Sequence, residues 1–375
     1  MRGLMRRTIL SIACLALFVG ACAPSSPPAT KKAAGPDVPV IVWSSRDLPP
    51  GLDARLTAIH GVRSISPVFV GVVDLIRVRG STAPLPHRRK GGILPIAIAA
   101  MAPGAGTTDV LSQTIASGKA ALTHTSAALR HMGVGGTLTV ASGAVRRAFT
   151  VGAVVPDDVG RGKELIVPAS GAKGLGLTGT RSIITWIAAD GSTETIDAIR
   201  RATGGVLARV HVGLDTPPDP AEGPTLSFAD VKRIFGEFTF KPRNGLYVAV
   251  DRSWMDAFIV KTRVPVLGLI TCNRRLLPQL TGAMRELQAR GLAGLVRTSN
   301  GCFSPRMQVG NSYELSRHAY GIAVDINAGT NRYGDPPAQD PRLVEVMQRW
   351  GFTWGGRWLI PDGMHFEFVR FVSKP

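Results

Sequence analysis

SRHAYGIAVDIN, residues 316–327, decides how this chain is read. Ile322, Val324 and Ile326 alternate with small or polar residues, the pattern of a buried strand. Yet His318 stands near one end and Asp325 near the other, and burying either charge without a partner is costly. Side chains alternate faces along a strand, so a spacing of 325 − 318 = 7 puts the two on opposite sides. A bend at Gly321 would bring them together, because glycine adopts backbone angles that other residues avoid. Ala319 and Ala323 leave room beside such a site.

A partner lies downstream in RWLIPDGMHFEFVRF, residues 357–371. Asp362 and His365 precede an alternating apolar strand with Phe366, Phe368 and Phe371. His318, Asp325 and His365 supply two imidazoles and one carboxylate, a sufficient ligand set for a catalytic Zn²⁺ with its fourth position left to water. Asp362 is then free to act as the general base on that water. Glu367 shares a strand face with His365 and is positioned to brace that ring. On the residues alone, structural histidines remain an open alternative.

The strings SRHAYGIAVDIN, DPRLVEVMQRWGFTWGGRW and DGMHFEF resemble the D-alanyl-D-alanine carboxypeptidase/VanY branch of the M15 zinc peptidases. The first motif of that family, SxHxxGxAxD, falls on Ser316, His318, Gly321, Ala323 and Asp325. The second, (D/E)xxH, falls on Asp362 and His365. The resemblance runs from about Arg243 to the end. It implies zinc held by His318, Asp325 and His365, Asp362 as acid/base, and peptidoglycan stem peptides as substrate. It also implies a substrate-contacting arginine at Arg306, twelve residues before His318, with Arg297 and Arg317 as weaker choices. Removal of a terminal D-alanine is the expected reaction. Cleavage within the stem or cross-bridge is the alternative, and a non-catalytic wall-binding or transporter-associated lipoprotein is the alternative of another class.

Trp350, Trp354 and Trp358 sit among glycines. Flat rings suit a groove wall, so Trp354 and Trp358 are candidate substrate contacts, and core packing is the competing reading. RRLLPQLTGAMRELQARG, residues 274–291, reads as a helix ended by Gly291, and DPRLVEVMQRW as another, started by Asp340 with Pro341 in its first turn. Cys272 and Cys302 flank the first helix. Outside the cell they form a candidate disulfide, although two free thiols remain possible.

The N-terminus reads as an export signal: Arg2, Arg6 and Arg7 precede an apolar run too short to span a bilayer comfortably. Val19-Gly20-Ala21-Cys22 resembles a bacterial lipobox, which implies cleavage before Cys22 and its lipidation. The expected protein is therefore an extracytoplasmic, membrane-anchored lipoprotein. Residues 1–22 are assigned to the signal and 23–37 to a flexible linker rich in Pro, Ala and Ser.

Residues 38–240 read as an α+β region and 243–375 as the metallopeptidase domain. The overall class is α+β, with a small antiparallel sheet and flanking helices at the C-terminal end. The middle stretch GVGGTLTVASGAVRRAFTVGAVVPD resembles the extracytoplasmic domain of MacB/FtsX-type permeases, which implies a binding or positioning module. Lys and Arg exceed Asp and Glu by 44 − 26 = 18. This favours anionic partners such as lipid or wall polymer. No basic run is interleaved with aromatics, so nucleic acid is not an expected partner.

Overall fold

An 18-residue strand organises the first half of the molecule. The chain enters through β1 (Val38–Trp43) and α1 (Leu52–Thr57), then runs through this long strand, β2 (Val62–Arg79). There follow β3 (Pro95–Met101), α2 (Asp109–Ala116), β4 (Ala120–Thr123), α3 (His124–Leu129), β5 (Thr137–Ser142) and β6 (Val145–Val155). The half closes with β7 (Leu165–Pro168), β8 (Thr180–Ile187), α4 (Ser192–Ala202) and β9 (Arg209–Val212). The computed structural model describes residues 37–82, 84–86, 88, 90–104, 109–177, 179–189, 192–213, 223–309 and 311–373. The signal, the lipobox and Cys22 lie outside these residues.

The nine strands form one sheet in the order β3-β7-β4-β6-β5-β2-β8-β1-β9. An additional β2–β3 pairing closes β3-β7-β4-β6-β5-β2 into a ring of six strands. β2 manages this because its length serves three partners: Val62–Phe69 pair with β8, Phe69–Asp74 with β3, and Asp74–Arg79 with β5. Its residues alternate between buried and less buried over Val68–Val70 and again over Gly71–Leu75, the phase shifting at the buried pair Val70 and Gly71.

The second half begins with α5 (Phe228–Phe235). The Ser227 side chain caps it by accepting from the Asp230 amide. β10 (Phe240–Pro242), β11 (Val248–Val250), α6 (Arg252–Phe258), β12 (Ile259–Val264), β13 (Gly268–Asn273) and α7 (Leu277–Ala289) follow. The chain ends with β14 (Met307–Gln308), β15 (Asn311–Leu315), β16 (Ala323–Asp325), α8 (Pro341–Arg349), β17 (Phe352–Trp354) and β18 (His365–Phe368). Four small antiparallel sheets result, the last in the order β16-β18-β17. The architecture is α+β throughout. One apolar cluster contains Phe228, Val231 and Phe235 of α5, Leu280 and Met284 of α7, Leu343 and Met347 of α8, and Phe366 and Phe368 of β18. Ala97 of β3 belongs to the same cluster, so the large sheet and the C-terminal elements share core.

Between them lies a buried ionic network. Arg130, at the end of α3, donates two hydrogen bonds to Glu237, at 2.7 and 2.8 Å. Lys232 of α5 donates to Glu164 at 2.7 Å and to the Pro95 carbonyl. Glu164 also accepts from the Ala97 amide. Two cations and two anions thus satisfy one another, as buried charge requires.

Candidate metal centre

The C-terminal three-stranded sheet carries two of the three expected ligands side by side. Asp325 of β16 and His365 of β18 are direct register partners, so their side chains share a face. His318 arrives from elsewhere. SRHAYG is not strand but a 3₁₀ turn over Arg317–Tyr320, ended by Gly321 at φ 67°. A side chain at Gly321 would be strained in that conformation, and its Cβ would lie 2.8 Å from the Asn273 amide nitrogen. Ser316 caps the turn, its hydroxyl accepting from the His318 amide at 3.2 Å. The bend expected at Gly321 exists, and it replaces half of the expected strand.

The three ligand atoms all lie within 4.8 Å of one another, and all three residues are buried. Asp325 Oδ1 is 3.1 Å from His318 Nε2 and 3.2 Å from His365 Nδ1, and those two nitrogens are 3.2 Å apart. The far side of each ring is engaged. His318 Nδ1 donates to the Cys302 carbonyl at 2.9 Å, and His365 Nε2 donates to Glu367 at 3.2 Å. These partners assign the tautomers. With the outer nitrogens protonated, both inner nitrogens of the neutral rings present lone pairs, and so does the carboxylate. Three acceptors facing one another need a cation between them. Metal–ligand distances near 2.0–2.2 Å place neighbouring donors of a tetrahedral sphere roughly 3.3 Å apart. The observed separations fit.

Electrostatics agree with this reading. Burial alone would raise the Asp325 carboxyl, but hydrogen bonds from His318 and His365 hold it well below the usual range. Burial works against a charged His365, yet its hydrogen bonds with Asp325 and Glu367 push it up to about 10 in the ion-free protein. Burial likewise opposes ionisation of Glu367, and contact with His365 and the Arg317 charge lower its pKa nonetheless. The pocket is therefore built to hold positive charge at its centre.

Asp362 stands beside the three. Burial raises its pKa first, His365 opposes that, Asp325 adds to it, and the charges of His318 and Arg306 act against it. Its Oδ1 is buried and has no hydrogen-bond partner among the described residues. An acceptor so placed is suited to a proton carried by a small molecule. Arg306 is half-buried, and its carbonyl accepts from the Ser316 amide at 3.0 Å. Trp358 lies with its ring centre 5.2 Å from that of His365. Trp354 lies over Gly356 and donates its indole N–H to the Gly363 carbonyl at 2.8 Å, holding the loop that carries Asp362. Trp350 is placed away from the centre, packed on Gly282 and bonded to Glu286.

Cys272 and Cys302 form a disulfide with Cα atoms 4.9 Å apart. Two supporting groups were not marked by the sequence reasoning. One is the Cys302 carbonyl, which no side-chain pattern signals. The other is Arg317 in its actual position: behind the centre, 3.7 Å from Glu367 and 4.7 Å over the Phe228 ring, bonded to the Leu226 carbonyl. Its place between two motif residues was the only hint.

A buried pair of imidazoles with a carboxylate, flanked by a second acid, is a donor set for a divalent cation of the zinc kind. Residues 310–368 match the model of a peptidase family described as D-alanyl-D-alanine carboxypeptidase, of the M15 group. This C-terminal segment is thus M15-like. Comparison with curated proteins gave no match. Among solved structures, the chain is similar to the periplasmic region of MacB from Actinobacillus actinomycetemcomitans, at 12% identity and a TM-score of 0.31, covering 50% of this chain and 94% of that one. It is also similar to the extracellular domain of the ABC-type transporter YknZ from Gram-positive bacteria, at 14% identity and a TM-score of 0.30, covering 46% and 98%. Among the described residues no helix is long and apolar enough to cross a membrane.

Proposed function

We propose that residues 243–375 are a zinc-dependent peptidase acting on peptidoglycan stem peptides, and that its reaction is removal of a terminal D-alanine. The observation that carries this is the convergence of three lone-pair donors from His318, Asp325 and His365 beside an unpartnered carboxylate, Asp362. A bound Zn²⁺ would supply a water acidified to near neutrality. Asp362 takes the proton of the attacking water and returns it to the departing amine. Arg306 offers a fixed cation to the negative charge that develops on the scissile carbonyl, or to the substrate's free carboxylate. Glu367 and the Cys302 carbonyl hold the two rings in the required tautomers. Trp358, against His365, and Trp354, behind the Asp362 loop, form an apolar wall that limits water.

Cys22 is the proposed site of lipid attachment outside the cytoplasm. Mass spectrometry of muropeptides digested with the zinc-loaded protein tests the reaction. Loss of one alanine from pentapeptide stems is expected. Cuts within the stem or cross-bridge would make it an endopeptidase, and no cleavage would overturn the peptidase reading.

A further inference from the structure

The strands beside the metal centre carry a second, unassigned feature. Tyr247 and Arg306 are antiparallel bridge partners. The hydrogen bonds flanking them run from the Val248 amide to the Pro305 carbonyl, 3.0 Å, and from the Met307 amide to the Leu246 carbonyl, 2.8 Å. This is the close, non-hydrogen-bonded kind of pair, whose side chains stand side by side on one face. The β10–β11 register, Lys241 opposite Ala249 and Pro242 opposite Val248, brings Arg243 opposite Tyr247, and the Arg243 amide donates to the Tyr247 carbonyl at 2.9 Å. On the other side, Met307 opposite Leu315 brings Arg306 opposite Ser316.

Arg243, Tyr247, Arg306 and Ser316 therefore form one row across four strand segments. The row starts at the residue that caps the His318 turn and runs outward. Burial follows the same direction: Ser316 is buried, Arg306 half-buried, Tyr247 57% exposed, and Arg243 exposed. Val248 and Val250, on the opposite face of β11, are buried, so the row is the outward face. Arg243, Asn244 and Tyr247 line a hollow of about 340 Å³ at its outer end. No carboxylate among the described residues pairs with either guanidinium. Arg306 feels the nearby Asp362 charge, whereas Arg243 has no such anion among the described residues; two cations with an exposed ring between them, ending in a hollow, fit an anionic ligand.

We infer that this row is a substrate track selecting peptides that carry a second carboxylate remote from the bond being cut. The inference deepens the peptidase reading and rests on it. Adjacent strands lie about 4.8 Å apart, so Arg243 stands roughly 10 Å from Arg306. An extended peptide spans that in about three residues. The substrate class is thus an acidic peptide with its carboxylate side chain about three residues from the scissile bond. Arg243 pairs with that carboxylate, and Tyr247 packs on the chain between.

The test uses two synthetic peptides ending in D-alanyl-D-alanine, one with Glu and one with Gln three residues from the scissile bond. Dissociation constants are measured by fluorescence anisotropy on the full chain without metal, and KM on the zinc-loaded protein. Wild type is expected to prefer the Glu peptide by about fivefold in both, the size of an exposed ion pair. Arg243→Glu removes the preference, and replacing Glu by Lys in the peptide restores binding to that variant. Arg263→Ala on the β12 strand, which removes a charge elsewhere, keeps the preference. Equal affinity of wild type for both peptides overturns the track, and that comparison needs no variant to fold. Hydrolysis of both without preference overturns the track and leaves the peptidase standing. Preference in metal-free binding with no hydrolysis of either peptide leaves the track standing and removes the peptidase.

Discussion

Each ring of the candidate centre is fixed from behind. His365 is held by Glu367, which is itself paired with Arg317. Replacing Glu367 by Gln keeps the shape and removes the charge. Zinc affinity is expected to fall 10- to 100-fold, read by competition with a chromophoric chelator. The raised pKa of His365 makes a second measurable statement. Its value of about 10 without metal means that the inner site holds a proton at neutral pH. A cation must displace that proton, so affinity rises with pH up to about 10 and falls as pH drops below it. Calorimetry at pH 7 in buffers of different ionisation enthalpy should show about one proton released on zinc binding.

Asp362 acts with the opposite sign. Its raised pKa means that it loses its charge at a higher pH than an ordinary carboxyl. Asp362→Asn should bind zinc and lose about 10²- to 10⁴-fold in kcat.

The ligands were legible because His and Asp at motif spacing within apolar strings are chemically conspicuous. The groups that orient them were not. A backbone carbonyl at Cys302 carries no letter of its own, and Arg317 is one of many arginines until the fold places it against Glu367.

At the scale of elements, alternation marks only part of the first half: β3 and β4 are buried along their whole length and show no alternating pattern, and the pairing of the strands is not written locally at all. β2 serves β8, β3 and β5 along one length, and nothing local in its residues names those partners. Alternation misread SRHAYG, because a capped 3₁₀ turn leading into a short strand leaves much the same apolar pattern as a longer strand. Ser227 ahead of the apolar-periodic run FADVKRIF is a helix-start signal for α5, but nothing local signals the burial of Lys232 within it. Lys232→Met leaves Glu164 and Glu237 with Arg130 as their one remaining cation among the described residues of this buried network. A loss of about 3–5 kcal/mol is expected in denaturant titration, because an anion is left uncompensated. The same elements join the large sheet to the C-terminal core, so both halves should unfold together in that titration.

At the scale of the molecule, the chain carries a net charge of +18, and its large sheet closes a ring of six strands. The disulfide ties these scales together. Cys302 is bonded through sulfur to Cys272, at the end of β13, and through its carbonyl to His318. A centre with no sulfur among its proposed ligands is thereby made answerable to thiol chemistry. Cys272→Ala, which removes the disulfide without adding a thiol chelator, should lower zinc affinity in the same chelator competition. A reduced copy, intact in sequence, would then hold the ion more weakly than an oxidised one.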